Sequence, residues 1–352
     1  MPVYKKNNKW FARVNYVDSF GNYKTSQSKY FDTKREAQES EIGLRQKLKE
    51  TEKYSITFEE AFYEFIAQQG ERIKPQSVNK LKDLFAHLKP LYNIKVEKLT
   101  MQQYKAFKEE IRKKDLSVSR KNKIHNLVCR IIDYCNTIYG IYNDVPKRAG
   151  GFHERAHLKE MDFFTLEEFN RFIEVEDDLE YRTFFTLLFF NGLRKSEALA
   201  LNWTDYDGRE INISKNLVSK IKGVLPYTDT PKTQKSIRRI PVNRTVKALL
   251  DKLLAYYREF PEFSDQWFIF GGIRPLSETA LANRKNSNCR KAGVKQIRIH
   301  DFRHSCASYY INQKKAPIML ISKLLGHSKV STTLDIYGHL YPNELSELMN
   351  EE

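Results

Sequence analysis

The apolar residues of this chain change period along its length, and that change limits the possible folds more than any single motif does. Lys9-Trp10-Phe11-Ala12-Arg13-Val14-Asn15-Tyr16-Val17 alternates at the spacing of a half-buried strand, Ser19-Phe20-Gly21-Asn22 has the chemistry of a turn, and Tyr23 to Phe31 alternates again. A hairpin follows from that pattern. Thr33 with Glu36 three positions on forms a capping box, and the run to Lys49 is rich in helix formers, which predicts one helix bracing a small three-stranded sheet. From about residue 54 the period becomes helical. Phe58, Ala61, Phe62, Phe65 and Ile66 follow Thr57, and amphipathic stretches run from Ser77 to Leu88, Thr100 to Lys113 and Ser117 to Tyr139. Asn143 to Gly151, polar and punctuated by Pro146 and paired glycines, reads as a linker. Beyond it the pattern is mixed, with helices expected at 165–175, 180–191, 243–258 and repeatedly after 277, and strands near 210–214 and 236–242. Three domains are expected, 1–53, 54–150 and 151–352.

Charge narrows the choice of partner. With 60 Lys+Arg against 44 Asp+Glu the net charge is +16, which points to a polyanion. Residues 1–53 carry 12 basic and 7 acidic side chains, residues 54–150 carry 18 and 11, and the remainder 30 and 26, so most of the excess lies N-terminal. Hydrophobic residues at 41% suffice for real cores. The longest apolar run, Phe184 to Phe190, is interrupted by Thr186 and falls well short of the roughly 20 residues a spanning helix needs. The N-terminus has no apolar targeting segment. Cys129, Cys135, Cys289 and Cys306 have neither metal-ligand spacing nor the density of a disulfide scaffold. A cytoplasmic protein without a membrane partner is expected.

Five short stretches of the last segment carry chemistry. In Asn191-Gly192-Leu193-Arg194-Lys195-Ser196-Glu197-Ala198-Leu199 an Arg follows a Gly turn and opens a helix. Thr230 to Val242 is a hairpin-like basic stretch ending in an apolar strand, with Lys232 and Lys235 in it. In His300-Asp301-Phe302-Arg303-His304, positions 300 and 303 share a helix face, so an imidazole and a guanidinium can converge on one oxyanion. Leu324-Leu325-Gly326-His327-Ser328 places a His just past a Gly helix cap. Ser331 to Leu340 offers Tyr337 on a short helix. Each stretch alone also fits a solvated surface.

Taken in this order, over 160–345, the five stretches resemble the catalytic domain of the tyrosine recombinases, the phage-integrase family. The helical segment 54–145 resembles the family's SAM-like core-binding domain. The Trp10 hairpin with its helix is similar to the AP2-like arm-binding domains of integrases from Gram-positive phages and conjugative transposons. The fold implied is a small α+β N-terminal domain, an all-α domain, and a mixed, mainly helical catalytic domain. The resemblance implies that Arg194 and Arg303 clamp a scissile phosphate, with Lys232, His300 and His327 around it and Tyr337 as nucleophile, through a 3′-phosphotyrosine intermediate. Two always-charged guanidinium forks match the nonbridging oxygens of such a phosphate. His300 would be the base for the phenol and Lys232 the acid for the leaving 5′ oxygen. Glu197 would orient Arg194 or His300. No cofactor is implied, since transesterification nearly conserves bond energy, and the chain holds neither a P-loop nor a carboxylate-rich metal cluster.

The partners implied are double-stranded DNA with core-type and arm-type att sites, a homotetramer on DNA, an excisionase and a host DNA-bending protein. Trp10, Arg13, Lys24, Lys121 and Lys123 are candidate DNA contacts. Lys121, Lys123 and Arg130 read equally as a solvated helix face. Lys235 rivals Lys232 as the acid, and Tyr341 rivals Tyr337 as nucleophile. His304 and His339 read as bystanders. The tail from Asn343 to Met349, with Leu345, Leu348 and Met349 at helical spacing, fits docking on a neighbouring protomer or folding back on its own. A type IB topoisomerase is the alternative enzyme. A DNA-binding protein without catalysis is the alternative outside enzymes, and it needs no such set of residues.

Overall fold

A computed structural model of the chain describes residues 3–17, 23–51, 55–70, 73–153, 162–219, 224–230 and 237–340. They fall into two compact units, Met1–His157 and Leu158–Glu352.

The first unit opens with an antiparallel sheet in the order β1 (Val3–Lys6), β2 (Lys9–Val17), β3 (Tyr23–Gln27), followed by α1 (Lys34–Thr51) packed on β2. Ala12, Val14 and Ala37 are buried, so one sheet face is the side that α1 covers. The alternation read from the sequence accounts for this, because residues two apart share a face. The turn expected at Ser19 to Asn22 lies outside the described residues.

Among the described residues of the unit, five α-helices follow: α2 (Phe58–Gly70), α3 (Pro75–Phe85), α4 (Met101–Lys113), α5 (Val118–Tyr139) and α6 (Val145–Ala149). The expected helix Ser77–Leu88 ends at Phe85 and continues as a 3-10 turn, Ala86–Leu91. Pro90 inside that turn has no N–H to return to a preceding carbonyl. Phe58, Phe62, Leu88, Tyr104 and Val128 form the centre of one apolar core.

The expected linker is part of this core. Asn143 is buried and its Nδ2 donates to the carbonyls of Val96 (2.9 Å) and Leu99 (3.1 Å). Lys108 Nζ donates to the carbonyls of Ala149, Gly150 and Gly151 at 3.0, 2.9 and 3.0 Å, and Phe152 is buried. Asn143 and the carbonyls of Ala149 to Gly151 thus find their partners inside the protein, while Lys147 and Arg148 stay exposed.

The second unit contains α7 (Leu166–Glu174), α8 (Leu179–Asn191), α9 (Lys195–Ala198), β4 (Glu210–Ile213), β5 (Asn216–Val218), β6 (Tyr227–Asp229), β7 (Arg238–Pro241), α10 (Arg244–Arg258), α11 (Glu278–Lys291), α12 (Asp301–Asn312), α13 (Ile318–Leu325) and α14 (Val330–Tyr337). α8 is apolar on nearly every side, with Thr183 through Phe189 buried, as a helix surrounded by others must be. Its rings join Phe164, Phe169, Phe172 and Phe302 in one aromatic cluster. Each such side chain contributes about 1.5–3 kcal/mol of burial, which holds α8 against α12. Of the basic stretch 230–242, residues 231–236 lie outside the described residues. Its strand β7 pairs antiparallel with β4, with buried Ile211 opposite buried Ile240, and β5–β6 is a separate hairpin between them.

Candidate active site

Helix ends build the site. α8 stops at Gly192, whose φ of +61° is left-handed, and Arg194 then caps α9. Glu197 sits one turn on, 3% exposed; its Oε1 accepts from Arg194 Nη1 at 2.6 Å and its Oε2 from the Arg194 backbone N–H at 2.9 Å. Arg303, on the first turn of α12, is 2% exposed. Its Nη1 donates to the Gly192 carbonyl (2.8 Å) and its Nη2 to the Leu325 carbonyl (2.5 Å). α13 ends at Gly326, φ +66°, and His327 follows, its Nδ1 2.8 Å from the hydroxyl of fully buried Thr333 on α14. Arg238 of β7 closes the cluster. Its Nη2 donates to Glu197 Oε2 at 2.9 Å, its Nη1 to Oε1 at 3.3 Å and its Nε to the Leu324 carbonyl at 3.0 Å.

Two guanidiniums, those of Arg194 and Arg238, therefore bind one carboxylate, and Arg303 lies within electrostatic reach of it. Burial alone raises the pKa of Glu197, but the hydrogen bonds and charge of Arg238, with the charge of Arg194, outweigh it and hold the carboxyl below its ordinary range. Burial and the neighbouring Arg194 pull Arg303 down to about 9, still far above neutrality, so the guanidinium keeps its charge. Desolvation and Arg303 hold His327 at about 4. His300 keeps an exposed edge; desolvation of the rest of its ring and the charge of Arg303 push its pKa down. Such an excess of buried positive charge is costly unless an anion arrives.

A cleft of about 1220 Å³ opens beside this cluster, lined by Arg194, Lys195, Arg274, Lys285, Arg298 and His300 among others. Glu278 in its wall pairs with Lys195 at 2.6 Å and Ser219 Oγ at 2.6 Å. The Arg194 side chain retains 36% exposure.

Tyr337 ends α14 with only 2% exposure, packed with Ile311, Ile321 and Leu325. Its hydroxyl lies 2.7 Å from His304 Nδ1. Desolvation raises the phenol's pKa above 10 despite the opposing charge of Arg303. Desolvation and the adjacent His300, edge-on at 5.2 Å, hold His304 at about 4, so the imidazole is neutral and its Nδ1 shares one hydrogen bond with the phenol.

The residues picked from the sequence divide accordingly. Arg194, Glu197, Arg303 and His327 share one hydrogen-bonded neighbourhood, and His300 lines the cleft beside it. Lys232, Lys235, Tyr341, the tail 343–349 and the side chain of His339 lie outside the described residues. His304, read as a bystander, instead holds the Tyr337 hydroxyl, and His300 touches the phenol only through His304. One turn of helix separates the two imidazoles, and the inner one faces α14. Lys121 is not a surface contact: it is 6% exposed and its Nζ donates to the Arg112 carbonyl at the end of α4 (3.2 Å), whereas Lys123 is exposed. Trp10, Arg13 and Lys24 do not share a face. Trp10 alternates with Ala12 and Val14, and Lys24 pairs with Tyr16 in register, both on the α1 side, with Lys34 of α1 lying over the Trp10 ring at 5.7 Å. Arg13 is on the open face with Asn15, Thr25 and Gln27.

Arg238, His304 and Thr333 were missed. Two of the three leave a periodic trace: Arg238 lies two residues before buried Ile240 on the same strand face, and Thr333 lies one turn before Tyr337.

An arginine-lined cleft in a mainly helical unit that also buries Tyr337, preceded in the chain by a sheet-and-helix module, has the charge to hold a phosphate. A sequence profile of the phage integrase family matches residues 159–344, and a profile described as an arm DNA-binding domain matches residues 2–48. The ICEBs1 integrase of Bacillus subtilis (strain 168) is 30% identical over 344 residues, 91% of this chain and 89% of that one. In fold, the chain resembles the Tn1549 transposon integrase in complex with a circular intermediate DNA, with a TM-score of 0.70 at 20% identity, over 84% of this chain and 99% of that one. It also resembles lambda integrase, solved as a dimer bound to a core site, with a TM-score of 0.60 at 14% identity, over 96% and 95% of the two chains. The chain belongs to the phage integrase family of tyrosine-type site-specific recombinases. Among the described residues, no helix is long and apolar enough to cross a membrane.

Proposed function

We propose that this recombinase is the integrase of a mobile genetic element, cutting and rejoining double-stranded DNA at core-type att sites through a 3′-phosphotyrosine. The observation that carries the reading is a cationic cluster in which Arg194 and Arg238 share the carboxylate of Glu197 and buried Arg303 lies within electrostatic reach of Arg194 and of Tyr337. Arg194 and Arg303 bind the nonbridging oxygens of the scissile phosphate, and His327, locked by Thr333, donates from its second ring nitrogen to the same phosphate. Tyr337 Oη attacks phosphorus as its proton leaves, and the 5′ oxygen departs with a proton from Lys232. The phenol is buried and bonded to a neutral imidazole, so it has to be brought to the phosphate before it can attack. DNA binding has to bring α14 toward the cleft, and His304 or His300 then takes the phenolic proton.

The partners follow from the same reading. Residues 1–53 bind arm-type sites, 54–150 grip the core site together with the catalytic unit, and recombination proceeds in a homotetramer on DNA in the bacterial cytoplasm. An excisionase and a host DNA-bending protein set direction. The sheet face that α1 leaves open carries Lys6, Lys9 and Arg13 and is the face proposed for DNA.

The test is Tyr337→Phe on a nicked suicide core site. The wild type accumulates a covalent protein–DNA adduct, and Tyr337→Phe binds the same duplex with unchanged affinity and forms none. Adduct from the variant removes Tyr337 from its role.

A further inference from the structure

We propose that Arg238 is a positioning residue for the strand-transfer reaction, one guanidinium that ties Glu197, and through it Arg194, to the helix end that presents His327. The inference rests on the recombinase reading above and adds a residue outside the set that touches phosphate.

The geometry is that of a three-way clasp. The side chain of Arg238 is 8% exposed, and its fork spends two nitrogens on the two oxygens of Glu197 and the third on the Leu324 carbonyl. The next carbonyl, Leu325, belongs to Arg303. Two consecutive carbonyls at the end of α13 are thus held by two arginines, one of which approaches from β7 and the other from α12. Unpaired carbonyls at a helix end need such donors, and here the donors fix the direction in which the chain leaves toward His327.

Gly326 shows how closely this is fitted. A Cβ there would lie 2.9 Å from Arg238 Cδ and 2.9 Å from its Nη1, so the guanidinium occupies the space that any other residue would fill. On the opposite side, Glu197 has both oxygens saturated by Arg194 and Arg238. With Arg238 in place, Arg194 is engaged by the carboxylate through one side-chain nitrogen, and the side chain stays partly open to the cleft. Without it, Glu197 is a buried anion left to Arg194, which it draws into a bidentate pair and away from phosphate. Lysine cannot substitute, because one ammonium on a flexible stem does not span three coplanar acceptors.

The experiment is single-turnover cleavage of the suicide core site by the full chain, with binding affinity and thermal midpoint measured on the same samples. Arg238→Lys is expected to cleave about 10-fold more slowly and Arg238→Met about 100-fold, with core-site affinity within about 3-fold of wild type. In Arg238→Met the acid limb of the cleavage-rate profile moves to higher pH, because Glu197 has lost its main partner. The double variant Arg238→Met/Glu197→Gln is expected to cleave no more slowly than the slower single variant, since each change breaks the same connection. Unchanged cleavage in folded Arg238→Met, losses that multiply in the double variant, or binding that falls in step with cleavage each overturn the proposal. Absence of adduct from the wild type overturns the recombinase reading instead.

Discussion

At the scale of single residues, the bond between His304 and Tyr337 restrains more than it activates. The imidazole titrates at about 4 and the phenol above 10, so the phenol keeps its proton until something changes the surroundings of both. Removing either partner leaves a buried polar atom unmatched, at about 1–3 kcal/mol. Tyr337→Phe and His304→Phe should each lower stability by that order, and the double variant by less than the sum. Urea denaturation of the three variants measures the coupling, and strictly additive losses contradict a direct bond. The depressed imidazoles also set a pH dependence. In the unfolded chain His304 and His327 protonate near 6.5, but in the folded protein only near 4, so between these values the unfolded state binds more protons. Stability is then constant above about pH 6.5 and falls as pH drops toward 4. Thermal midpoints measured from pH 7.5 to 4.5 should decline, and His304→Phe should flatten the decline; a midpoint that rises on acidification rejects the assignment.

At the scale of elements, the decisive piece is the end of α13. Gly326 and Gly140 have nearly the same left-handed backbone, φ +66° and +62°, but a Cβ at Gly140 meets nothing within 4 Å whereas one at Gly326 meets Arg238. Gly140→Ala should cost the backbone strain alone, about 1 kcal/mol, and leave cleavage unchanged. Gly326→Ala should cost more and slow cleavage, because Arg238 must move; equal effects from the two substitutions count against the fitted clasp. The sequence made the helices legible where apolar spacing and caps agree, as in Thr100 with α4 and Thr165 with α7, whose capping boxes are both present. It made β7 legible as a strand but not its pairing with β4 across an intervening hairpin, because register over such a separation is decided by packing of Ile211 on Ile240 rather than by any local signal. It misjudged Asn143 to Gly151 for the same reason: composition reports solvent preference, while Lys108, 41 residues from Ala149, satisfies those carbonyls from inside. Likewise, Arg194, Arg303, His327 and Tyr337 stand out through residue type at motif positions, whereas Arg238 and His304 matter through contacts that only the tertiary fold creates.

At the scale of the whole molecule, the charge is divided unevenly. Residues 1–53 carry a net of +5 from 12 basic and 7 acidic side chains, while the 202 residues from 151 onward carry +4 from 30 and 26. The second unit nevertheless gathers the guanidiniums of Arg194, Arg238 and Arg303 within electrostatic reach of one another, so it is locally more cationic than its total suggests. The N-terminal module instead spreads Lys6, Lys9 and Arg13 over an open sheet face, with Lys9 only loosely paired to Asp32 at 3.5 Å between exposed side chains. These two arrangements predict different salt behaviour. A spread of exposed cations acts by releasing counterions, each phosphate contact adding about 0.9 to the slope of log affinity against log salt. Replacing Lys6, Lys9 and Arg13 together by Gln should therefore reduce the slope for arm-type DNA by about 2 to 3. It should leave cleavage of a saturated core-site suicide substrate unchanged, because none of the three lies in the catalytic unit. A slope that does not move shows that another face of the module meets DNA, and a loss of cleavage at saturation shows that the first unit is needed for chemistry as well as for binding.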